Sequence, residues 1–348
     1  MSSNNAAGRA FIGSFTSAGG HGIIAAAVDG ETGALTRLGA TDTVQDPSFL
    51  AIAPGSSVLY AVSETEDGAA AAFDVSGDVP RPLGGAVPVG GASPTHLALA
   101  AGHLMTANYG SGSVTVLPVR ADGALEAATC VLHHRGNGPR ADRQEGPHAH
   151  QVLAGPGGRW VLSVDLGTDS VRVGDLTATT GTLRVHAETP LRPGTGPRHM
   201  AFHPDGGHAY VLNELEPTLT VCRWDAESGI LVPLDETPVV AAGTEGEVHP
   251  SEVVSAHDGR FLWAANRGHD SIAVLALDAT GAKAELVTTV PCGGHWPRDL
   301  TLDPTGRRLY VSNERSGDVT WFDIDQETGI PHRTGSIEAP AASCVVFG

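Results

Sequence analysis

Arg198 and His199 open an apolar stretch, GPRHMAFHPDGGHAYVLNEL, and Glu214 stands near its end. A guanidinium holds anions, an imidazole moves protons, and a carboxylate can orient either. The runs HMAF and AYVLN flank a turn built on Pro204, Asp205 and Gly206. That is the pattern of a β-hairpin. In a hairpin the first strand starts where the second one ends. Arg198, His199 and Glu214 are therefore expected to converge in space.

The same hairpin recurs about every fifty residues. Prolines open matching stretches at Pro47, Pro94, Pro147, Pro197, Pro250 and Pro297. Their second runs close with Glu64, Asn108, Asp165, Asn213, Asn266 and Asn313. A small polar turn and a third strand follow, as in GSGSVTVLPV, GTDSVRV, EPTLTVCRW, GHDSIAVLAL and SGDVTWFDI. Turns of the type DGETGAL, DAESGIL and DQETGIP then lead into a fourth strand. Four antiparallel strands per repeat make a propeller blade. Six units are complete; the N-terminal segment supplies strands two to four of another, and SCVVFG supplies its first. The reading is an all-β, seven-bladed β-propeller whose ring closes by pairing N- and C-terminal strands in one blade, leaving no open edges. Residues 1–9 are expected to be a disordered tail and residues 10–348 a single domain.

This topology sorts the charges. The proline ends of the hairpins lie on one face, the top, at the mouth of a central channel; the DxETG turns carry acidic charge to the bottom. The top ring collects Glu64, His96, His148, Arg198, His199, Glu214, Glu252, Arg267, Arg298 and Glu314. The longest interruption, HHRGNGPRADRQEGPHAH, also reaches the top, and long loops in compact rings often bind ligands. Of its Arg135, Arg140 and Arg143, the last is nearest a hairpin. His148 and His150 alternate along one strand and suit general-base work near neutral pH, metal ligation with added carboxylates, or plain channel lining. Arg198 and Arg267 flank Glu214 in chain order, either as anion-binding forks or as a structural ion pair. Asp299 is placed to neutralise Arg298, and Glu64 and Glu252 to partner the bases. No GxSxG elbow, P-loop or helix-opening GxGxxG is present.

The formal charge is −18 over 348 residues, which argues against nucleic acid or an anionic membrane as partner. A small anionic substrate remains compatible, because local arginines outweigh a global field at short range. The 45 Gly and 23 Pro suit a chain of many short strands and turns. No apolar run is long enough to span a bilayer, and MSSNNAAGRA lacks the pattern of a signal peptide. Cys130, Cys222, Cys292 and Cys344 are scattered, as free thiols in a reducing cytoplasm would be. A cytoplasmic monomer or weak homo-oligomer is expected.

RQEGPHAHQ, DLGTDSV, GPRHMAFHPDG, YVLNEL, DGRFLWAANRGHDSIAV and WPRDLTLDPTGRRLYVSNE together resemble the lactonase family of seven-bladed propellers. That family includes propeller-type 6-phosphogluconolactonases and is similar to fungal carboxy-cis,cis-muconate cyclases. The resemblance covers nearly the whole chain. It implies hydrolysis of a lactone, most simply 6-phosphogluconolactone, without cofactor or metal. It also implies that His148, Arg198, Glu214 and Arg267 are the catalytic set. Arg143, His96, His199, Arg298, His150 and Glu252 are then expected to line the substrate. Two other readings stay open: a related cycloisomerase or pathway-specific lactonase acting on another carboxylated or cyclic substrate, and a non-catalytic binding propeller.

Overall fold

The computed structural model describes residues 8–348. They form seven antiparallel sheets arranged as blades around one axis. Blade 1 takes its inner strand from the C-terminus, Ala342–Phe347, and continues with Gly8–Ser14, Ile23–Val28 and Leu35–Thr41. The inner strands of blades 2 to 7 are Leu50–Ile52, Pro94–Ala100, Ala149–Ala154, Pro197–Phe202, His249–Ser255 and Pro297–Leu302. Blade 2 departs from four strands: its outer position is split into Arg81–Pro82 and Val87–Pro88, both paired to Ala69–Asp74. Pro80, Pro82 and Pro88 lack the amide protons a continuous ladder needs. The segment after Asp165 builds two long strands, Ser170–Thr177 and Thr182–Pro190, whose pairing shifts register between Val173 and Gly174.

There is no single core. Alternating Val, Ile, Leu and aromatic residues on each sheet interdigitate with the next sheet, giving a chain of buried clusters between blades. The two that seal the ring join blade 7 to blade 1 through Ile12, Ile24, Tyr310 and Val345, and blade 1 to blade 2 through Phe11, Ile23, Leu59 and Phe73. The strand in blade 1 begins at Gly8, so Gly8 and Arg9 are not tail. Arg9 is tied down through its Nη1, which donates to Val75 O at 3.0 Å, and its Nη2, which donates to Asp78 at 2.7 Å. Residues 1–7 of the expected tail lie outside the described residues.

The acidic bottom turns are latches. Asp29 Oδ1 accepts from the Thr32 amide at 2.7 Å, and Asp225 and Asp325 close their turns through Ser228 and Thr328. An aromatic residue of one blade then donates to a carbonyl in a turn of the next. Tyr310 OH reaches Gly33 O at 2.6 Å, Tyr210 OH reaches Gly281 O at 2.9 Å, and Trp263 Nε1 reaches Gly329 O at 2.8 Å. Gly329 has φ +71°, and a Cβ there would meet the Phe261 ring at 2.6 Å, so only glycine fits.

The top ends of the second strands are held by a repeated clasp. Asn108 Nδ2 donates to Ser113 Oγ at 3.0 Å and Thr115 Oγ1 at 2.9 Å; Asn213 does the same to Thr218 and Thr220, both at 3.0 Å. Blade 4 substitutes Asp165 for the asparagine and Arg172 for the threonine. His134 completes that set, its Nδ1 lying 2.6 Å from Asp165.

If closure carries stability, Ile12→Ala, fully buried in the sealing blade, should cost about 2–5 kcal/mol. Ile230→Ala, on an exposed outer strand, should stay within about 0.5 kcal/mol. Urea denaturation of the two variants checks the contrast.

Candidate active site

Consecutive residues of a strand normally point to opposite faces. The inner strands break that rule at the channel mouth. Pro197 pairs with Asn213 and His199 with Leu212, leaving Arg198 in a bulge; the same shift occurs between Pro297 and Asp299, and between Ala149 and Gln151. A bulge re-aims side chains, so one strand start delivers two neighbours to the site. Arg198 and His199 are both buried there.

The pairing also corrects one register. Ala149, not Pro147, occupies the place of Pro197 and Pro297, since it faces Asp165 as they face Asn213 and Asn313. The loop passes so close over Gly167 that a Cβ there would lie 1.9 Å from Gly146 O. This close passage lets Gly146 and Pro147 extend beyond the strand. His148 therefore sits in the turn, equivalent to Gly196 and Trp296, and His150 takes the position of Arg198 and Arg298.

Glu214 is the centre of the site. Its Oε2 lies 3.1 Å from Arg198 Nε and 2.9 Å from Arg267 Nη2, and its Oε1 accepts from Arg143 Nη2 at 2.7 Å. Three guanidiniums on one carboxylate leave a local charge of +2. The Arg198 Nε contact is an ion pair rather than an aligned hydrogen bond, and Nη1 donates to the Ser251 carbonyl. Arg267 Nε donates to His249 O at 3.1 Å. Arg143 rides on the loop, which Gln144 pins by donating to Leu166 O at 2.8 Å and Arg140 by reaching Glu216 at 2.5 Å. Burial works against the Glu214 charge, but Arg267, Arg198 and Arg143 outweigh it and hold the carboxyl far below its usual range. Burial and Arg267 press Arg198 down to about 9, still charged at neutral pH. Glu214 is thus an anchor for arginines and a very poor base.

The histidines lie beside and beneath this cluster. His148 stacks on Tyr109 at 4.4 Å, with Nδ1 3.0 Å from Tyr109 O and Nε2 3.2 Å from Glu145 Oε1. His150 Nδ1 is 3.2 Å from His199 Nε2, and His199 Nδ1 is 2.5 Å from Glu252 Oε2. Among the described residues His150 Nε2 has no hydrogen-bond partner, yet it is not sealed away as His96 Nδ1 is. His96 lies against Phe49 at 3.9 Å and edge-on to His199 at 5.3 Å. Arg298 stands apart from the Glu214 cluster, 3.4 Å from Glu64, 3.6 Å from Glu314, and over the Phe15 ring. Asp299 does not neutralise Arg298. It turns to the Val345 amide at 3.2 Å and to Glu252, because the bulge after Pro297 aims the two residues differently.

The sequence reading missed Tyr109 and Asp299 as members of the site. Arg135 is exposed, and Arg140 serves the loop. Among the described residues no group of three or more His, Cys, Asp or Glu could hold a metal ion. No helix among them is long and apolar enough to cross a membrane.

Seven antiparallel blades around one axis, with a buried carboxylate gathering three arginines at the channel mouth, define the class of the fold. The chain belongs to the lactonase, 7-bladed β-propeller family, whose model matches residues 9–347. It is 33% identical to the 6-phosphogluconolactonase of Bacillus subtilis strain 168, over 97% of each chain. A solved Bacteroides fragilis protein, described provisionally as a 6-phosphogluconolactonase, superposes with TM-score 0.92 at 28% identity, covering 100% and 99% of the two chains. The Pseudomonas aeruginosa periplasmic gluconolactonase superposes with TM-score 0.90 at 28% identity, covering 98% of each.

Glu214→Gln leaves three arginines facing one another unneutralised. It should cost about 3–5 kcal/mol at neutral pH, partly restored by added phosphate or sulfate. Because the folded pKa of Glu214 is depressed, its stabilisation is complete above the unfolded value of about 4.3 and is lost as pH falls below it. The variant should therefore lose less stability than the wild type on acidification below about pH 4, read from urea midpoints across pH.

Proposed function

We propose that the protein hydrolyses an anionic sugar lactone, with 6-phosphogluconolactone the leading substrate. The observation that carries this reading is the Glu214 cluster, a local +2 charge at the channel mouth of a chain whose formal charge is −18. The named activity of the Bacillus subtilis relative supports it.

Arg198 and Arg267, oriented by Glu214, donate to the lactone carbonyl oxygen as it gains negative charge. Arg143, more exposed than either, holds the substrate's phosphate. The water nucleophile loses its proton to a histidine, and the geometry favours His150 over His148. Both ring nitrogens of His148 face partners, whereas His150 offers a free Nε2 on the same ring of positions as Arg198. Water oxygen bonds to the carbonyl carbon and forms a tetrahedral intermediate. Its collapse breaks the bond to the ring oxygen, which takes the proton back from His150. The product is an open-chain acid that ionises in water. His148 then braces Tyr109 and the loop that carries Arg143.

A second reading has its own support. The Pseudomonas aeruginosa neighbour is named a gluconolactonase, which makes an unphosphorylated lactone the alternative substrate. The four described cysteines, all unpaired, suit a reducing compartment, so the cytoplasm is the proposed location here.

Acid release from freshly prepared lactone, followed in a pH-stat, tests the reading. The wild type should open 6-phosphogluconolactone well above the spontaneous rate. Arg198→Ala should lower kcat about 10²–10³-fold, and His150→Ala should cost more than His148→Ala. Arg143→Ala should raise KM for the phosphorylated lactone but not for gluconolactone. A wild type that accelerates neither lactone would sink the hydrolase reading.

A further inference from the structure

Beneath the arginine cluster, the histidine that serves as base in the hydrolytic scheme heads a line of buried titratable groups, and that scheme leaves the other three unused. His150, His199, Glu252 and Asp299 come from the inner strands of four successive blades, and each is no more than 7% exposed. His150 meets His199 at 3.2 Å and His199 meets Glu252 at 2.5 Å, while Glu252 and Asp299 lie buried within reach of each other on the neighbouring strands His249–Ser255 and Pro297–Leu302. The outer oxygens are already spoken for. Glu252 Oε1 accepts from the Val253 amide at 2.9 Å, and Asp299 Oδ2 accepts from the Val345 amide at 3.2 Å.

Two buried carboxyl groups within reach of each other cannot both stay ionised, so the pair holds one proton between them. The rest of the line then has one self-consistent arrangement. Glu252 Oε2 accepts from His199 Nδ1–H. His199 Nε2 is left with its lone pair and accepts from His150 Nδ1–H. His150 Nε2, which has no partner among the described residues, carries a lone pair towards the site.

We propose that Glu252 and Asp299 form a proton-holding pair that, through His199, fixes the tautomer of His150 and takes up the charge created when His150 accepts a proton. They are positioning residues, and the proposal rests on the lactone-hydrolase reading. Every proton is accounted for. Water gives a proton to His150 Nε2, and His150 gives its Nδ1 proton to His199 Nε2. The resulting imidazolium lies against the Glu252 carboxylate. The reverse passage returns a proton to the leaving ring oxygen.

The surroundings explain why a carboxylate is needed there. Burial first, and then Arg198, Arg267 and Arg298, keep His150 and His199 well below the ordinary histidine range. His96 lies edge-on to His199, Glu214 opposes the arginines, and Cys344 of blade 1 flanks Asp299. Glu252 is the negative group in direct contact with the histidine line. Burial raises both carboxyls, Glu252 to about 7, consistent with one retained proton.

The test compares the full-length wild type with Glu252→Gln and Asp299→Asn. Glu252→Gln removes the charge and keeps the shape. It should lower kcat about 10–100-fold with KM within about twofold, and should move the acidic limb of the kcat–pH profile about one unit lower. Asp299→Asn keeps a donor facing a carboxylate. It should cost less than Glu252→Gln and leave that limb in place. A folded Glu252→Gln enzyme whose limb does not move refutes the proposal. Nitrogen NMR of the histidines in the wild type is a second readout that needs neither variant nor turnover. It should find His150 and His199 both protonated at Nδ1 and bare at Nε2. The opposite tautomer at either residue overturns the relay. Failure of the wild type to open lactones with these tautomers present would instead fault the assigned reaction.

Discussion

Seven inner strands start at one end of a common axis, and the bulges in those starts present more side chains than a regular strand would. Closure therefore forces polar groups from every blade into a space that water only partly reaches. Unpaired, they would cost several kcal/mol each. The structure meets this constraint by pairing across blades. Glu214 of blade 5 gathers Arg267 of blade 6 and Arg143 of the blade 3–4 loop, and Glu252 of blade 6 takes His199 of blade 5. Arg298 of blade 7 spans to Glu64 of blade 2. The same contacts that could bind and turn over an anion also tie neighbouring blades together at the top, as the aromatic–carbonyl latches do at the bottom.

Charge is divided by face. Asp29, Asp225 and Asp325 serve as turn-closing acceptors at the bottom, where water screens them. The arginines stand at the top over buried ground, where fields reach further. A chain of −18 overall can thus keep one positive cluster at its mouth, around Glu214. The two sides of that mouth differ: three arginines share one carboxylate around Glu214, while Arg298 sits between two carboxylates, Glu64 and Glu314. The phosphorylated sugar lactone proposed as substrate, with one anionic end and one neutral, hydroxyl-rich end, would match this polarity.

Much of this was legible in the sequence because it repeats. Strand periodicity, turn residues and the fifty-residue spacing fix the ring, and with it the face on which Arg198, Glu214 and Arg267 meet. What the pattern could not carry is register within a residue or two. Pro147 looks like the other hairpin prolines, but a loop crossing Gly167 displaces it by two positions, so that His150 rather than His148 takes the position of Arg198. Asp299 beside Arg298 suggests a local pair, but the bulge sends them to different partners. Tyr109 has no motif of its own; its carbonyl and ring matter only because the blade 4 turn folds onto them.

Blade 4 shows why contact between the right residue types does not make a site. Ser163 Oγ lies 3.3 Å from His134 Nε2, and His134 Nδ1 lies 2.6 Å from Asp165, the residue set of a hydrolytic triad. Yet Arg172 sits 3.1 Å from both His134 Nδ1 and Asp165 Oδ2, and the His134 and Asp165 side chains are fully buried. The group stands where other blades place Asn with Ser or Thr, and it closes the same turn. Asp165 accepts the His148 and Thr168 amides at 2.9 Å and 3.1 Å, so every polar atom it offers is consumed by structure. His150 differs in one respect that matters for chemistry. Its Nδ1 meets His199 at 3.2 Å, while its Nε2, among the described residues, has no hydrogen-bond partner and is not sealed away.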